Sequence, residues 1–377
     1  MPARRASPKK KGKKTGFFTK AVLAVNILIA GMLLLAYMAP VINPKTFWPV
    51  SFFGLAYPFL LFANVFFVLY WLISKPKFAL ISALCVLVGW SYITKTIGFR
   101  SQTGNNAPKS SENMIRVLTY NVHYFQKFDA KRDTATKQQM LDLIANEKPD
   151  ILCIQEFFTR QKGVYNFKKI LKETTGLPYL YFESSSGNDF EKTGLAILSR
   201  YPIINQGHIV FPNTGSGNEA IFADVKYKKK LVRVYCLHLQ SINFQPEDYE
   251  YLSEVKQINT NVESSKRIGS RLKQAFIKRS EQVHILKEHA AKWNAPLMVC
   301  GDFNDTPVSY AVNYMEDGMQ NAFQEKGSGF GITYNGDFPN FQIDYILASP
   351  QFLIRNYRVI GKKLSDHYAV RSDLELK

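Results

Sequence analysis

The first hundred residues contain no aspartate or glutamate, although they hold thirteen of the chain's 48 lysines and arginines. Residues 101–377 hold the other 35 basic residues and all 30 acidic ones, a net of +5. The overall +18 is therefore not a nucleic-acid footprint spread over the chain. Cysteine is also scarce: Cys85, Cys153, Cys236 and Cys300, with no C-x-x-C spacing. That excludes a cysteine-type zinc site and a disulfide framework. The thiols read as buried and free, although a location outside the cell would permit a disulfide. H-E-x-x-H, G-x-S-x-G and G-x-x-x-x-G-K-[ST] are missing, so a zincin, a serine α/β-hydrolase and a P-loop enzyme have no support. With 46% hydrophobic and 21% charged residues, the bulk of the chain is not disordered. Its 377 residues allow two or three folded units at roughly 100–200 residues each.

What fills the acid-free hundred is apolar. A basic tail, residues 1–20, carries eight Lys and Arg. Charge-free runs follow at 21–39, 46–74 and 78–94. A spanning helix needs about 17–25 mainly apolar residues. The first two runs qualify, and the third sits at the lower limit, where a buried or re-entrant helix is the other reading. A cleaved signal peptide is an alternative for the first run, but two more follow it. Eight basic residues in the tail, Lys45 alone in the first loop, and Lys75 with Lys77 in the second predict a cytoplasmic tail. If all three runs span, everything after Thr94 lies outside the cytoplasm. If the third does not, the remainder is cytoplasmic. The expected organisation is a tail (1–20), a transmembrane region of two to three helices (21–99), a linker (100–114) rich in polar residues, Gly and Pro, and one domain (115–377). The expected location is the cell membrane, multi-pass.

In the last of these regions short β-rich runs recur at 115–122, 150–157, 194–200, 220–227, 231–239, 296–303 and 343–349. Helix-compatible stretches at 132–147, 161–175 and 264–292 separate some of them. This predicts an α/β fold with a sheet core covered by helices.

Polar residues stand where these runs begin or end: Asn121, Glu156, His238, Asp302, Asn304, Asp344, Asp366 and His367. Singly, each has an ordinary structural explanation, such as a helix cap, a turn or a satisfied core histidine. Together they are costly to place at the ends of buried strands without a task. Glu156 and Asp366 are hard oxygen donors that suit Mg2+ or Mn2+ better than zinc. The chemistry this set suits is phosphoester hydrolysis.

At these residues the chain resembles the endonuclease/exonuclease/phosphatase superfamily, which includes deoxyribonuclease-I-like nucleases, abasic-site endonucleases, neutral sphingomyelinases and inositol polyphosphate phosphatases. The motifs, in order from about Ile115 to Leu376, are LTYNV, CIQE, GLAILSRYPI, LHLQS, GDFND, IDYILAS and SDHYAV. The resemblance implies a four-layer α/β/β/α sandwich of the deoxyribonuclease-I type behind the N-terminal transmembrane segment. It also implies roles. Glu156 is the principal metal ligand, with Asn121 and Asp366 supporting it. Asp302 orients or deprotonates the attacking water. Asn304 and His238 donate to the scissile phosphate. Asp344 orients His367, which stabilises the transition state or assists proton transfer. The chain departs from the pattern at His123, where several nucleases carry an acid. An extra ligand, a phosphate donor and a plain rim residue all remain open there. The acid that pairs with the LHLQS histidine is also not evident, since Thr193 is near its position with Glu191 two residues earlier.

The expectation is a membrane-anchored Mg2+- or Mn2+-dependent phosphoesterase, read as a phosphodiesterase, acting on a phospholipid headgroup or on nucleic acid beside a lipid bilayer. No protein partner is expected. The reading from another class is a catalytically silent membrane receptor or scaffold that kept the fold. The segment 242–293 carries Lys266, Arg267, Arg271, Lys273, Lys278 and Arg279, with Ile268, Leu272 and Phe276 at helical spacing. It reads as a helix with a solvated basic face, or more sharply as a surface for anionic lipid or nucleic acid. NFQPEDYEY and GSGFGITYNGDFPNF are candidate substrate-shaping loops or ordinary surface packing.

Overall fold

The computed structural model describes residues 16–100, 109, 111, 113–126, 134–212, 217–256, 261–336 and 339–377. Nearly all of the basic tail and most of the linker lie outside these. The N-terminal region is helical: α1 (Phe17–Ala36), α2 (Pro44–Phe47), α3 (Pro49–Leu55), α4 (Tyr57–Ser74), α5 (Pro76–Val88) and α6 (Trp90–Thr96). Among the described residues, α1 and α4 are long and apolar enough to cross a membrane. The second apolar run is thus not one helix from residue 46. Prolines in the first turns of α3 and α4, Pro49 and Pro58, cut it into pieces, because proline opens a helix but cannot sit inside one. The third run breaks at Gly89, where α5 and α6 meet at 63°. A Cβ on Gly89 would lie 2.1 Å from the Tyr37 ring, so only glycine lets the two approach.

The helices form an antiparallel bundle. Val22 and Leu23 near the start of α1 pack with Phe67 and Trp71 near the end of α4 and with Phe78 and Ala79 of α5. Leu33 and Ala36 at the other end of α1 pack with Tyr57 and Leu61 of α4 and Ile93 of α6. Between these ends lies a buried polar chain. Trp71 Nε1 donates to Asn26 at 2.8 Å, Asn26 donates to Ser82 at 2.6 Å, and Ser82 donates to Asn64 at 2.8 Å.

After β1 (Gly98–Phe99), two six-stranded sheets follow. In chain order the elements are β2 (Met114–Asn121), α7 (Thr134–Glu147), β3 (Ile151–Arg160), α8 (Phe167–Thr175), β4 (Tyr179–Gly187), β5 (Glu191–Ser199), β6 (Ile203–Ile209), β7 (Glu219–Tyr227) and β8 (Lys230–His238). Next come α9 (Pro246–Lys256), α10 (Val262–Ala291), β9 (Leu297–Asp302), α11 (Tyr310–Glu316), β10 (Gln320–Asn321), α12 (Ala322–Lys326) and β11 (Ser328–Gly329). β12 (Asp344–Ala348), β13 (Phe352–Ile360) and β14 (Ala369–Leu376) complete the chain. One sheet runs β13-β14-β2-β3-β5-β4, the other β10-β12-β9-β8-β7-β6. In each sheet one central pair is parallel, β2 with β3 and β8 with β9.

The sheets pack face to face through Ile115, Val117 and Ile197 on one side and Ile221, Val234, Met298 and Ile346 on the other. The outer face of the first sheet lies under α7 and α8, that of the second under α10 and α11. Four layers, α/β/β/α, result. The central strands are buried on both faces, which is why they read as near-continuous apolar runs. Cys153, Cys236 and Cys300 are free and buried between the sheets.

The bundle is seated on this sandwich by the end that holds Leu33, Tyr57 and Ile93, whose cluster includes Val308 of the β9–α11 loop. Phe52 meets Phe276 of α10 edge to face, with centroids 5.4 Å apart. Lys95 reaches Glu316 at 3.1 Å, and β1 pairs with β11.

Candidate active site

The strand registers explain why the polar residues converge. In the second sheet Glu219 of β7 lies opposite His238 of β8, His238 opposite Asp302 of β9, and Asp302 opposite Asp344 of β12. Four ionisable residues thus share one row at the sheet's end. In the first sheet Asn121 ends β2, beside β3. Between Ile154 and Phe157 the pairing of β3 with β5 slips by a bulge, and Glu156 sits there with φ of 50°. A left-handed backbone is rare for a residue with a Cβ and re-aims its side chain, as bulges beside active sites do. Asp366 and His367 come from the turn before β14.

Asn121 Nδ2 donates to Glu156 Oε1 at 3.1 Å and to Asp302 Oδ2 at 3.2 Å, linking the two sheets. His238 Nε2 faces Asp302 Oδ2 at 3.5 Å and Glu156 Oε1 at 4.0 Å. His367 is held from both sides: Nδ1 meets Asp344 Oδ2 at 2.9 Å, and Nε2 faces Asp302 Oδ2 at 3.6 Å. Ser365 Oγ donates to the Asn121 carbonyl at 2.9 Å, which ties the His367 turn to β2. Asn304, with φ of 52°, donates its backbone N–H to Asp302 Oδ1 at 2.7 Å and its side-chain amide to the Leu239 carbonyl at 3.0 Å.

Electrostatics divide the carboxylates. Burial opposes ionisation of Glu156, but the bond from His123 and the charges of His238 and His123 outweigh it and hold the group down at about 2. Burial raises Asp302, and although His367 and His238 pull the other way and Asp344 adds to the rise, it stands at about 6. Burial disfavours the charged form of His367, yet the carboxylates of Asp344, Asp302 and Asp366 overcome this and raise it well above its ordinary value. The result is a permanent carboxylate, a carboxyl able to take a proton near neutrality, and an imidazolium.

All eight sequence-predicted residues are thus brought to one place, lining a pocket or bonded to residues that do. The pocket has a volume of about 490 Å³ and is bordered by Glu156, His238, Asp302, Asn304, Asp366 and His367. Both candidate loops contribute to it, through Phe244 and Tyr249 from one and Tyr334 and Phe341 from the other. The departures from the sequence pattern also find places. His123 Nδ1 lies 3.4 Å from Glu156 and 3.7 Å from Asp366, so it belongs to the carboxylate cluster and is more than a rim residue. Glu191 pairs instead with Arg160, at 3.0 Å. Glu219 was not anticipated. It is the cross-strand neighbour of His238 and bonds His208 Nε2 at 2.7 Å. Only the register reveals it, since it precedes an unremarkable β-run.

The basic helix is less basic on its surface than its sequence suggests. Arg279 is buried, donating to the Asn304 carbonyl and pairing with Asp305 at 3.0 Å. Arg267 and Arg271 both grip buried Asp248, at 2.6 and 3.0 Å. Ile268, Leu272 and Phe276 are buried, as their spacing predicts.

A divalent cation fits the carboxylate side of the pocket. Glu156 and Asp366 supply hard oxygen donors, and the left-handed bulge turns Glu156 toward the pocket. Asn121, by contrast, presents its Nδ2 to Glu156 while its Oδ1 accepts from the His123 N–H, so it supports Glu156 through a hydrogen bond. Asp302, Asp344 and His367 also form a compact group whose ligand atoms lie within 4.8 Å of one another. There, however, His367 Nδ1 already faces Asp344 at hydrogen-bond distance, the arrangement of a proton-handling pair.

The chain belongs to the endonuclease/exonuclease/phosphatase family, whose profile matches residues 118–367. Residues 19–96 match a domain of unknown function, DUF8431. No curated protein matches the chain in sequence. Among solved structures, it is similar to an endonuclease/exonuclease/phosphatase from Beutenbergia cavernae, with TM-score 0.52 and 19% identity over 70% of this chain and 72% of that one. It is likewise similar to one from Bacteroides vulgatus, with TM-score 0.52 and 17% identity over 70% and 99% of the two chains. At such identities the likeness establishes the deoxyribonuclease-I-like fold alone.

Proposed function

We propose that this chain is a membrane-anchored, divalent-metal-dependent phosphodiesterase whose catalytic domain faces outward. Phosphoester hydrolysis is the chemistry of its family. The observation that carries the reading is the paired environment of Asp302 and His367, a raised carboxyl and a buried imidazolium 3.6 Å apart, beside the ionised Glu156. Asp302 takes the proton of a water as that water adds to phosphorus. His367, held by Asp344, offers its Nε2 proton to the charge developing on the phosphoryl oxygens. His238 and the free N–H of the Asn304 amide orient the phosphate. The P–O bond to the leaving alcohol breaks, and that oxygen takes a proton from solvent, to which Asp302 returns the proton it took from the attacking water. Glu156 and Asp366, with Asn121 bonded to Glu156, would hold Mg2+ or Mn2+, which when bound offsets phosphate charge.

Membrane anchoring is supported by α1 and α4. The outward orientation rests on two features. The sandwich sits at the bundle end opposite the loop containing Lys75 and Lys77, and the basic tail directs the other end inward.

The test is turnover of a soluble chromogenic phosphodiester by the full-length protein with Mg2+ or Mn2+, with and without EDTA, beside His367→Ala. Turnover that EDTA and the substitution both abolish supports the proposal. A folded, metal-binding protein with no turnover of any phosphoester would leave the silent binding module standing instead.

A further inference from the structure

The wall of the active-site pocket that faces the bundle is apolar. Leu55 of α3 lines it together with Leu272 and Phe276 of α10. A second cavity of about 260 Å³ adjoins the first, since Thr306 and Phe341 border both. Its lining is almost wholly apolar. Pro58, Phe59 and Phe62 from the first turns of α4 form one side, and Phe330 and Ile332 of the sandwich form the other. Phe59 meets Phe341 and Phe62 meets Phe330 edge to face, with centroids 6.4 and 6.0 Å apart. Phe59 and Phe62 are also more than half exposed. They stand on a helix that is itself long enough to cross a bilayer, at its sandwich end. An apolar slot that opens beside such a helix and shares the Thr306 and Phe341 wall with a carboxylate–histidine pocket matches the two halves of an amphiphile. Nucleic acid would need a basic rim beside any aromatic platform, and this wall bears no charge.

We propose that the slot between α4 and the sandwich seats the hydrocarbon chain of a membrane lipid whose phosphoester headgroup lies at Glu156, Asp302 and His367. This assigns the substrate class and rests on the phosphodiesterase reading above. The lipid enters sideways from the bilayer, so its chain need not cross water to reach the site. Each methylene seated contributes about fourfold to kcat/KM, from roughly 0.8 kcal/mol per buried CH2.

The test uses the full-length protein in phosphatidylcholine nanodiscs with Mg2+ and 4-nitrophenyl alkyl phosphodiesters from ethyl to hexadecyl, beside supercoiled plasmid. The quantity read is the hexadecyl-to-ethyl ratio of kcat/KM. Partition into the disc raises this ratio for any tethered enzyme, so the decision lies in how it changes in Ile332→Trp, which fills the slot, and Phe62→Glu, which charges its mouth. The ratio cancels general damage. The expected result is a drop of at least about tenfold in both. A ratio unchanged in both variants overturns the slot, as does plasmid nicking with a higher kcat/KM than the hexadecyl ester. If the wild-type protein hydrolyses not even the ethyl ester, the phosphodiesterase reading itself has failed, and the ethyl arm separates that failure from the failure of the slot.

Discussion

Asp344→Asn isolates the contribution of one charge to the proposed catalytic pair. Asp344 Oδ2 meets His367 Nδ1 at 2.9 Å, and both side chains are almost fully buried. Asparagine has the same shape and keeps the backbone bond from Asp344 N–H to Thr333 Oγ1, at 3.0 Å. What it loses is the carboxylate that most opposes the effect of burial on His367. Breaking a buried charge pair by removing one partner costs about 3–5 kcal/mol. Asp302, 3.6 Å from the other ring nitrogen, retains part of the stabilisation. At 1.36 kcal/mol per decade, the lower half of that range predicts a fall in kcat of about 10²–10³-fold at pH 8. The pH profile supplies a second readout. A raised histidine contributes stability below its ordinary pKa of about 6.5 and loses it as pH rises through the folded value. Lowering that folded value in the variant shifts the basic limb of kcat to lower pH and shrinks the loss of Tm as pH rises above about 6.5, because less histidine-linked stability is there to lose. The assay is kcat against pH on a soluble phosphodiester, with His367→Ala as the floor. A kcat within threefold of wild type at pH 8, with Tm unchanged, would refute the imidazolium argument.

Glu156→Gln should weaken Mn2+ binding, read by calorimetry, by more than the roughly 10–100-fold that loss of an outer-shell partner costs, and excess metal should not restore wild-type kcat. Asp302 is raised to about 6, so its ionised form destabilises the fold above that pH, and the penalty disappears as pH falls toward the ordinary carboxylate range. Asp302→Asn should therefore abolish turnover while raising Tm at pH 8, by an amount that shrinks on acidification; a lower Tm at pH 8 would contradict the assignment. Arg279→Met strands buried Asp305 and frees the Asn304 carbonyl, for an expected loss of about 3–5 kcal/mol in denaturant unfolding. Asn64→Leu removes the acceptor for Ser82 within the helical bundle and should cost roughly 1 kcal/mol of bundle stability in detergent, with turnover of soluble substrate retained.

Much of the sandwich and its site was legible in the sequence because the two are coupled. A strand buried on both faces must be apolar throughout, so a polar residue at its end stands out. Asn121, His238, Asp302 and Asp344 were visible for that reason. Glu219 was not, because it opens its strand next to ordinary loop residues, and its meaning lies in a register with His238 that only pairing creates. Arg279 misled for the converse reason. A run of basic residues on a helix reads as one solvated face, but a 30-residue helix turns through every direction, and the arginine on the core side found Asp305. The apolar runs were seen, but their helices were not fully delimited. Hydropathy gives length, whereas Pro49, Pro58 and Gly89 decide where a helix starts or breaks.

Several residues of the site are held against their own preferences, Glu156 and Asn304 among them. Glu156 and Asn304 both adopt left-handed backbones, at a cost of roughly 1–2 kcal/mol each for residues with a Cβ. The surroundings that impose this differ. Glu156 is fixed by β3, whose pairing with β5 continues on either side of the bulge and with β2 runs up to Gln155, and its carboxylate is held by Asn121 Nδ2 at 3.1 Å and by His123. Asn304 lies in a loop, and three bonds hold it: to Asp302, to the Leu239 carbonyl and from Arg279. The same loop continues into Val308, which packs in the bundle's cluster, and a Cβ on Gly54 would lie 2.5 Å from the Val308 carbonyl. The pocket-lining Asn304 is therefore four residues from the seat of the helical bundle. A bundle that shifts in its seat moves this loop before it moves Glu156, so perturbations at the seat itself should act on substrate orientation through Asn304 while Glu156 stays in place.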